Sequence, residues 1–325
     1  MPKIFITRNI PESGVKMLRD KGYELTINEK DRVLSKSEII KSIKGKNYDA
    51  VLCLLTDKID QEILDIASPS VKIFANYAVG TDNIDLKYAA SKNILISNTP
   101  DVLTNSVAEH AFTLILSISK RIVEADDFMR TGKYKGWEPK LLLGSDIYGK
   151  TLGIVGLGRI GARVAHFAIN GFGMRVLYYD PKRNENFEKD QPGATYTSNI
   201  DDVLKNCDYV SIHVPLLPTT KHLINEEKLK LMKPTAYLIN TSRGPILDEM
   251  ALSNALKNNI IKGAALDVFE FEPKLYSGLR KLKNLIVTPH TASATIETRE
   301  KMSQMCADNI ISALEGKTPP NLVKI

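Results

Sequence analysis

The stretch Lys150-Thr151-Leu152-Gly153-Ile154-Val155-Gly156-Leu157-Gly158-Arg159-Ile160-Gly161 decides how this chain reads. An apolar segment of strand character runs into three glycines spaced G-x-G-x-x-G, and an apolar helical segment follows over 160–169. A second strand, 175–179, then ends on Asp180. Each part has a job in holding a dinucleotide. Gly156 permits the tight turn out of the strand, and Gly158 leaves room for a pyrophosphate to approach the backbone. Gly161 lets the helix pack on the sheet while the helix's free N–H groups face the phosphates. Asp180 follows at the spacing, about 20 residues, at which a carboxylate accepts the ribose hydroxyls. A lone G-x-G-x-x-G is also an ordinary glycine-rich turn, but here the flanking strands, helix and acid all agree with the nucleotide reading. The carboxylate repels a 2′-phosphate, which favours NAD. Lys182 and Arg183 partly offset that repulsion, so NADP stays open.

Working outward, strands and helices alternate from the start. Strand-like segments at 4–7, 24–27, 50–55, 72–76 and 94–97 are separated by helical segments at 11–21, 36–43, 60–67 and 86–91. This rhythm predicts a parallel, doubly wound sheet that is complete before the glycine motif, which therefore opens a second α/β domain. Asn98-Thr99-Pro100 marks the boundary, because Pro cannot continue a strand. One long amphipathic helix is expected over 104–130, with Ala108, Ala111, Phe112, Ile115, Leu116 and Ile122 along one side. It reads as a core helix or, given its length and its place outside the βαβ units, as a subunit interface. Beyond Asp180 strands are expected at 208–214, 236–240, 263–268 and 284–288, with helices at 225–232 and 250–258. A final helix, 295–315, ends at Gly316 and is expected to pack back on the first domain. The fold class is thus α/β with two doubly wound parallel-sheet domains: residues 1–99 and 291–325 in one, 100–290 in the other. A double crossing of the chain makes a natural hinge around a cleft.

Composition narrows the classes of function. The 325 residues suffice for two domains, and 43% apolar with 25% charged residues is ordinary for a globular protein. Met1-Pro2-Lys3-Ile4-Phe5-Ile6-Thr7 enters a strand with no signal-peptide core, and no apolar run approaches the ~20 residues of a bilayer span. A cytoplasmic protein with no membrane partner is expected. The net charge of +6 is spread along the chain without an aromatic-interleaved basic stripe, which fits attraction of small anions at least as well as nucleic acid and leaves the latter a minor option. Cys53, Cys207 and Cys306 are far apart and lack metal-ligand spacing, so buried thiols and no metal are expected.

A nicotinamide site needs a proton donor or acceptor and a cation for an anionic substrate. Arg243, in Asn240-Thr241-Ser242-Arg243-Gly244-Pro245, lies just past the strand at 236–240, where open α/β sheets place ligands. Guanidinium clamps a carboxylate through two parallel bonds, although a surface Arg before a Gly turn fits the position equally well. Of five histidines, His290 alone falls at both a strand end and a proposed hinge. His110 and His166 lie on helices and His213 in a strand, positions that read as structural, and His222 sits in a polar connection. Glu272 lies just beyond the strand at 263–268, and a carboxylate paired with an imidazole fixes its tautomer and raises its pKa.

Asn240-Thr241-Ser242-Arg243-Gly244, Ala265-Leu266-Asp267-Val268-Phe269-Glu270 with Glu272-Pro273, and Thr288-Pro289-His290 occur in order. With them the chain resembles the D-isomer-specific 2-hydroxyacid dehydrogenase family. Asn76-Tyr77-Ala78-Val79-Gly80-Thr81-Asp82-Asn83-Ile84-Asp85 and Asn98-Thr99-Pro100-Asp101-Val102-Leu103-Thr104 are most similar to its glyoxylate/hydroxypyruvate reductases. The resemblance implies a Rossmann NAD domain inserted in a flavodoxin-like substrate domain, and a homodimer whose arm is the helix at 104–130. It implies that Arg243 binds the substrate's carboxylate and keto oxygen, that His290 donates the proton and that Glu272 supports His290. Backbone N–H groups at Val79 and Gly80 hold the carboxylate in this reading, and Trp137 either packs at the subunit interface or, as such reductases suggest, reaches the partner's cleft and limits substrate size. The resemblance also implies that Gly156, Gly158, Arg159, Ile160, Gly161, Asp180, Pro181, Lys182, Val214, Pro215, Thr241, Ser242, Asp267, His290 and Ala292 line the cofactor site. The implied reaction is NADH-dependent reduction of glyoxylate or hydroxypyruvate. D-3-phosphoglycerate and D-lactate dehydrogenases are alternatives within the same chemistry, and an NAD(H)-sensing corepressor-like protein is one outside it.

Overall fold

The computed structural model describes residues 1–30 and 32–324. The chain divides into two compact units, Thr104–Ser293 and the flanking segments Met1–Leu103 with Ala294–Ile325. The flanking unit runs β1 (Lys3–Ile6), α1 (Glu12–Asp20), β2 (Glu24–Ile27), α2 (Lys36–Ile43), β3 (Ala50–Leu54), α3 (Gln61–Ala67), β4 (Ile73–Tyr77), α4 (Leu86–Ser91) and β5 (Leu95–Ser97). Among the described residues its strands form one parallel sheet in the order β2-β1-β3-β4-β5, the flavodoxin-like doubly wound order. Every residue of β4 is buried, as expected of a central strand covered on both faces. Helix starts follow local chemistry: Ser35 and Glu38 form a reciprocal capping box on α2, while Asp60 and Asp85 cap α3 and α4.

The central unit runs α5 (Thr104–Ser119), α6 (Ile122–Arg130), β6 (Thr151–Val155), α7 (Arg159–Phe172), β7 (Arg175–Tyr179), α8 (Glu185–Asp190), β8 (Ala194–Thr197) and α9 (Ile200–Asn206). It continues through β9 (Tyr209–Ile212), α10 (Glu226–Leu231), β10 (Tyr237–Asn240), α11 (Glu249–Lys257), β11 (Gly263–Leu266) and β12 (Leu285–Val287). The parallel order β12-β11-β10-β9-β6-β7-β8 reverses direction between β6 and β9, which is the switch point where such sheets bind ligands. The two-residue period of the strands divides their side chains between two cores. On β10, Leu238 joins Val210, Leu266 and the α11 side chains, whereas Tyr237 and Ile239 face Tyr209 and the buried side of α5. The Tyr209 and Tyr237 rings stack at 5.3 Å between centroids.

The helix expected over 104–130 is two helices. Arg121 adopts a left-handed backbone (φ 55) and caps α6 while its guanidinium pairs with Glu124 at 2.7 Å. Ala108, Ala111, Phe112 and Ile115 are buried on α5 and Leu116 half-buried, but Ile122 is 54% exposed and α6 buries no residue. The apolar stripe therefore stops at the break. β8 escaped the sequence pattern because three of its four residues are not buried and supply no apolar run. Among the described residues no helix is long and apolar enough to cross a membrane.

After Ser293 the chain returns to the flanking unit as α12 (Ile296–Leu314), capped by Thr295 and ended by Gly316 at φ 76. Helices α1 and α12 meet at Gly14, whose N–H donates to Ser303 Oγ at 3.1 Å. A Cβ there lies 2.0 Å from the Ser303 carbonyl oxygen, so only glycine permits this approach. Gly14→Ala should destabilise the protein by about 1–3 kcal/mol through overpacking. Urea unfolding at fixed pH measures it, and an unchanged midpoint contradicts the tight crossing.

Candidate active site

Parallel pairing brings the carboxyl ends of β6, β9, β10, β11 and β12 to one edge of the central unit's sheet. At the end of β6, Gly156 turns the chain at φ 98, and a Cβ on Gly161 stands 2.1 Å from the Gly156 carbonyl oxygen. Both glycines are therefore required for α7 to start where it does. A Cβ at Gly158 meets nothing within 4 Å, so the backbone there borders the open space a pyrophosphate needs. The Asp180 carboxylate accepts from the N–H of Leu157 at 2.9 Å and of Lys182 at 3.0 Å, tying the glycine turn to the end of β7. Each oxygen keeps a lone pair for a ribose hydroxyl. On β10's end, the Thr241 hydroxyl is buried and has no hydrogen-bond partner among the described residues, so it is open to a ligand. Open backbone, a half-buried carboxylate and an orphaned hydroxyl on one sheet edge fit a dinucleotide.

The trio named from the sequence is brought together within this unit. His290 Nδ1 lies 2.9 Å from Glu272 Oε2, and Glu272 Oε1 accepts the Phe269 N–H at 3.0 Å. A carboxylate only accepts, so Nδ1 carries the hydrogen and Nε2 is left as the ring atom that exchanges a proton. Burial alone raises the Glu272 pKa. The hydrogen bond and charge of His290, the Phe269 N–H and the positive charge of Arg243 outweigh it, and the carboxyl stays below its ordinary range. Arg243 is set by fully buried Asn240, whose amide donates to the Arg243 carbonyl and accepts from the Ser242 N–H, each at 3.0 Å.

His290 itself has φ 54, a left-handed conformation that costs a non-glycine residue about 1 kcal/mol or more. Fully buried Asp267 holds it. Its carbonyl accepts the His290 N–H at 2.8 Å, while its carboxylate takes the Thr288 hydroxyl at 2.6 Å and the Thr291 and Ala292 N–H groups at 2.8 Å. Asp267 and Ala292, read from the sequence as cofactor-lining, are thus buried and bonded to each other. The helix histidine His110 completes the set, with Nε2 at 3.1 Å from Thr288 Oγ1 and 3.4 Å from Asp267 Oδ1.

Other expected positions differ in kind. Val214 packs against the Gly156 turn and Pro215 is exposed beyond β9. Trp137 is 82% exposed in the single chain. Val79 and Gly80 follow β4 in the flanking unit. His213 lies one residue past β9, not inside it; its Nε2 is 2.8 Å from Ser211 Oγ, and burial drops its pKa to about 3. Two contributors carried no sequence signal. Glu249 is buried on α11 and accepts the Glu270 N–H at 2.7 Å, bracing the segment that bears Glu272. His222 pairs with Glu270 at 2.7 Å beside the same segment.

The family model for the D-isomer specific 2-hydroxyacid dehydrogenase NAD-binding domain matches residues 112–292, more than half of the chain. The chain belongs to the D-isomer-specific 2-hydroxyacid dehydrogenase family. A glyoxylate reductase of Korarchaeum cryptofilum is 49% identical over 324 residues, covering 99% of this chain and 96% of that protein. A Thermus thermophilus protein of known structure matches with a TM-score of 0.91 and 38% identity, over 99% of this chain and all of the other. The NADPH-dependent glyoxylate/hydroxypyruvate reductase of Sinorhizobium meliloti, solved with NADP and malonate, matches with a TM-score of 0.85 and 30% identity over 99% of this chain and 96% of its own. Family membership accounts for the two parallel-sheet folds and for the glycine turn at the end of β6.

The Asp267 anchor makes a test independent of activity. Burial raises its pKa, but the bonds from His110, Thr288, Thr291 and Ala292 hold it below 3.8, so its stabilisation is complete above that pH and fades as pH falls through the folded value. Asp267→Asn should cost about 1–3 kcal/mol at neutral pH, because one N–H then faces an amide donor. Urea unfolding should show the gap to wild type narrowing below about pH 4; a gap that widens there contradicts the assignment.

Proposed function

We propose that this protein reduces a small 2-keto acid, glyoxylate or hydroxypyruvate, to the 2-hydroxy acid with a nicotinamide dinucleotide. The observation that carries the reading is the imidazole–carboxylate pair His290–Glu272 at 2.9 Å, with Arg243's charge acting on the same carboxylate. Similarity to glyoxylate reductases, 49% identical over 99% of the chain in the Korarchaeum cryptofilum protein, supports the choice of substrate.

Gly156, Gly158, Gly161, Asp180, Thr241 and the first turn of α7 (Arg159, Ile160) hold the dinucleotide in this reading, with Pro181, Lys182, Val214, Pro215 and Ser242 along the same edge. When bound it supplies the hydride that C2 of the keto acid takes up. His290 Nε2 gives its proton to the keto oxygen, which becomes the hydroxyl. Glu272 steadies the imidazolium before transfer and fixes the ring's orientation throughout. Arg243 meets the negative charge growing on that oxygen and the substrate's carboxylate. Val79 and Gly80 are assigned the carboxylate through their backbone N–H groups. Asp180 favours NADH, while Lys182 and Arg183 next to it leave NADPH usable.

A panel of keto acids with NADH and NADPH tests this directly. Glyoxylate or hydroxypyruvate should be turned over fastest, and binding of NADH with no oxidation across the panel sinks the enzymatic reading in favour of a sensor. His290→Ala should lower kcat/KM by about 10²–10⁴-fold in steady-state assays at saturating NADH.

We also infer a homodimer. Ile122, Val123 and Met129 on α6, and Trp137 beyond it, expose apolar surface that a lone chain leaves in water. Light scattering should give twice the 36.2 kDa chain mass. If Trp137 also limits substrate size, Trp137→Ala should shift kcat/KM toward a bulkier keto acid relative to glyoxylate; an unchanged ratio removes that role.

A further inference from the structure

The loop after β4 has a property that the assignment of Val79 and Gly80 does not contain. Three successive carbonyls are each tied down from the protein side. Ala78 O accepts the Thr99 N–H at 2.8 Å, Val79 O accepts the side-chain amide of Asn98 at 2.8 Å, and Gly80 O accepts the side-chain amide of Asn76 at 2.9 Å. In a planar trans peptide the N–H points opposite to the carbonyl of the same unit. Pinning these three oxygens therefore turns the N–H groups of Val79, Gly80 and Thr81 away from the anchoring side chains. Among the described residues none of these three N–H groups has a protein acceptor, and all three residues are half-buried, so the row is reachable. Successive unpaired backbone N–H groups form an anion site whose dipoles need no rearrangement when the anion arrives.

The anchors are themselves held. Asn76 is fully buried, and its second amide hydrogen goes to Asn83 Oδ1 at 3.1 Å. Asn83 in turn donates to the carbonyls of Leu54 and Asp57, both at 3.1 Å, and to Asn76 Oδ1 at 3.3 Å. Rotating the Asn76 amide breaks this set, so its donor stays on Gly80 O. Asn98 is half-buried and sits just past β5, where its backbone joins the segment near Asn321 through a 3.3 Å bond. Its side-chain donor goes to Val79 O.

We propose that Asn98 and Asn76 are positioning residues that aim a row of three backbone N–H groups, Val79, Gly80 and Thr81, at the substrate's carboxylate. The proposal rests on the reading that this loop holds that carboxylate and adds what sets its geometry, extending the row by Thr81. Neither Asn touches the substrate. Loss of an anchor lets a peptide unit rotate, which weakens anion binding and leaves the proton donor and hydride donor as they were.

The test uses the full-length protein saturated with NADH and oxalate as a non-reacting dicarboxylate probe. Asn98→Ala removes the anchor with little disturbance of packing, and Asn98→Leu removes it while keeping side-chain size. Both should raise the oxalate Kd and the glyoxylate KM by about tenfold, with kcat and the NADH Kd within about twofold of wild type. In the wild type, oxalate should slow deuterium exchange of the peptide spanning 78–82. Oxalate affinity kept by a variant that melts at the wild-type temperature overturns the proposal, as does the absence of slowing at 78–82. A wild type that binds oxalate at this loop but does not turn over glyoxylate supports the positioning role and removes the substrate assignment alone.

Discussion

The site of this dehydrogenase depends on one buried carboxylate. Asp267, fully enclosed at the end of β11, offers its oxygens to the Thr288 hydroxyl and the N–H groups of Thr291 and Ala292, and its carbonyl to the N–H of His290. An unpaired carboxylate in such a place costs several kcal/mol, so the surrounding donors are obligatory rather than optional. Together they close the turn after β12 and hold His290 in a left-handed conformation it does not choose by itself. The direction of the imidazole follows from that turn, and so does its meeting with Glu272.

A similar economy governs the rest of the site. Glu272 is presented by a segment whose next-but-one residue, Glu270, is fixed twice: its N–H by Glu249 and its carboxylate by His222. Arg243 is presented by a turn that Asn240 ties from within the sheet. In each case the residue assigned to the chemistry stands on a loop, and a buried polar residue on a strand or helix sets that loop. In the flanking unit Asn76 and Asn98 treat the carbonyls at Gly80 and Val79 in the same way. Polar residues in these cores act less as stabilisers of the whole than as fixtures for particular peptide units.

Much of this was legible in the chain. Apolar runs and helical patterning located every strand but β8, because buried parallel strands must be apolar. The glycine turn was legible because positive φ and close packing at 156 and 161 admit no other residue. Arg243, Glu272 and His290 were candidates at strand ends, and the family resemblance rather than position alone made them a set. What escaped had no local signature. Arg121 breaks the long helix although nothing in an arginine announces a left-handed backbone. His110 resembled any helix residue until folding set it against Asp267 and Thr288. Nor did Asp267 and Ala292 announce that the N–H of one would donate to the carboxylate of the other.

The sequence alone determined the two α/β halves and the place of the dinucleotide turn, and it singled out Arg243, Glu272 and His290 as candidates. Each of these is written in patterns a few residues long, by the geometry of strands, helices and glycine. Tertiary structure alone decided which polar groups pair with one another inside the protein. That choice depends on distances between residues far apart in the chain, such as His110 and Asp267 or Asn98 and Val79. A hydrogen bond forms only where folding has already brought donor and acceptor to about 3 Å.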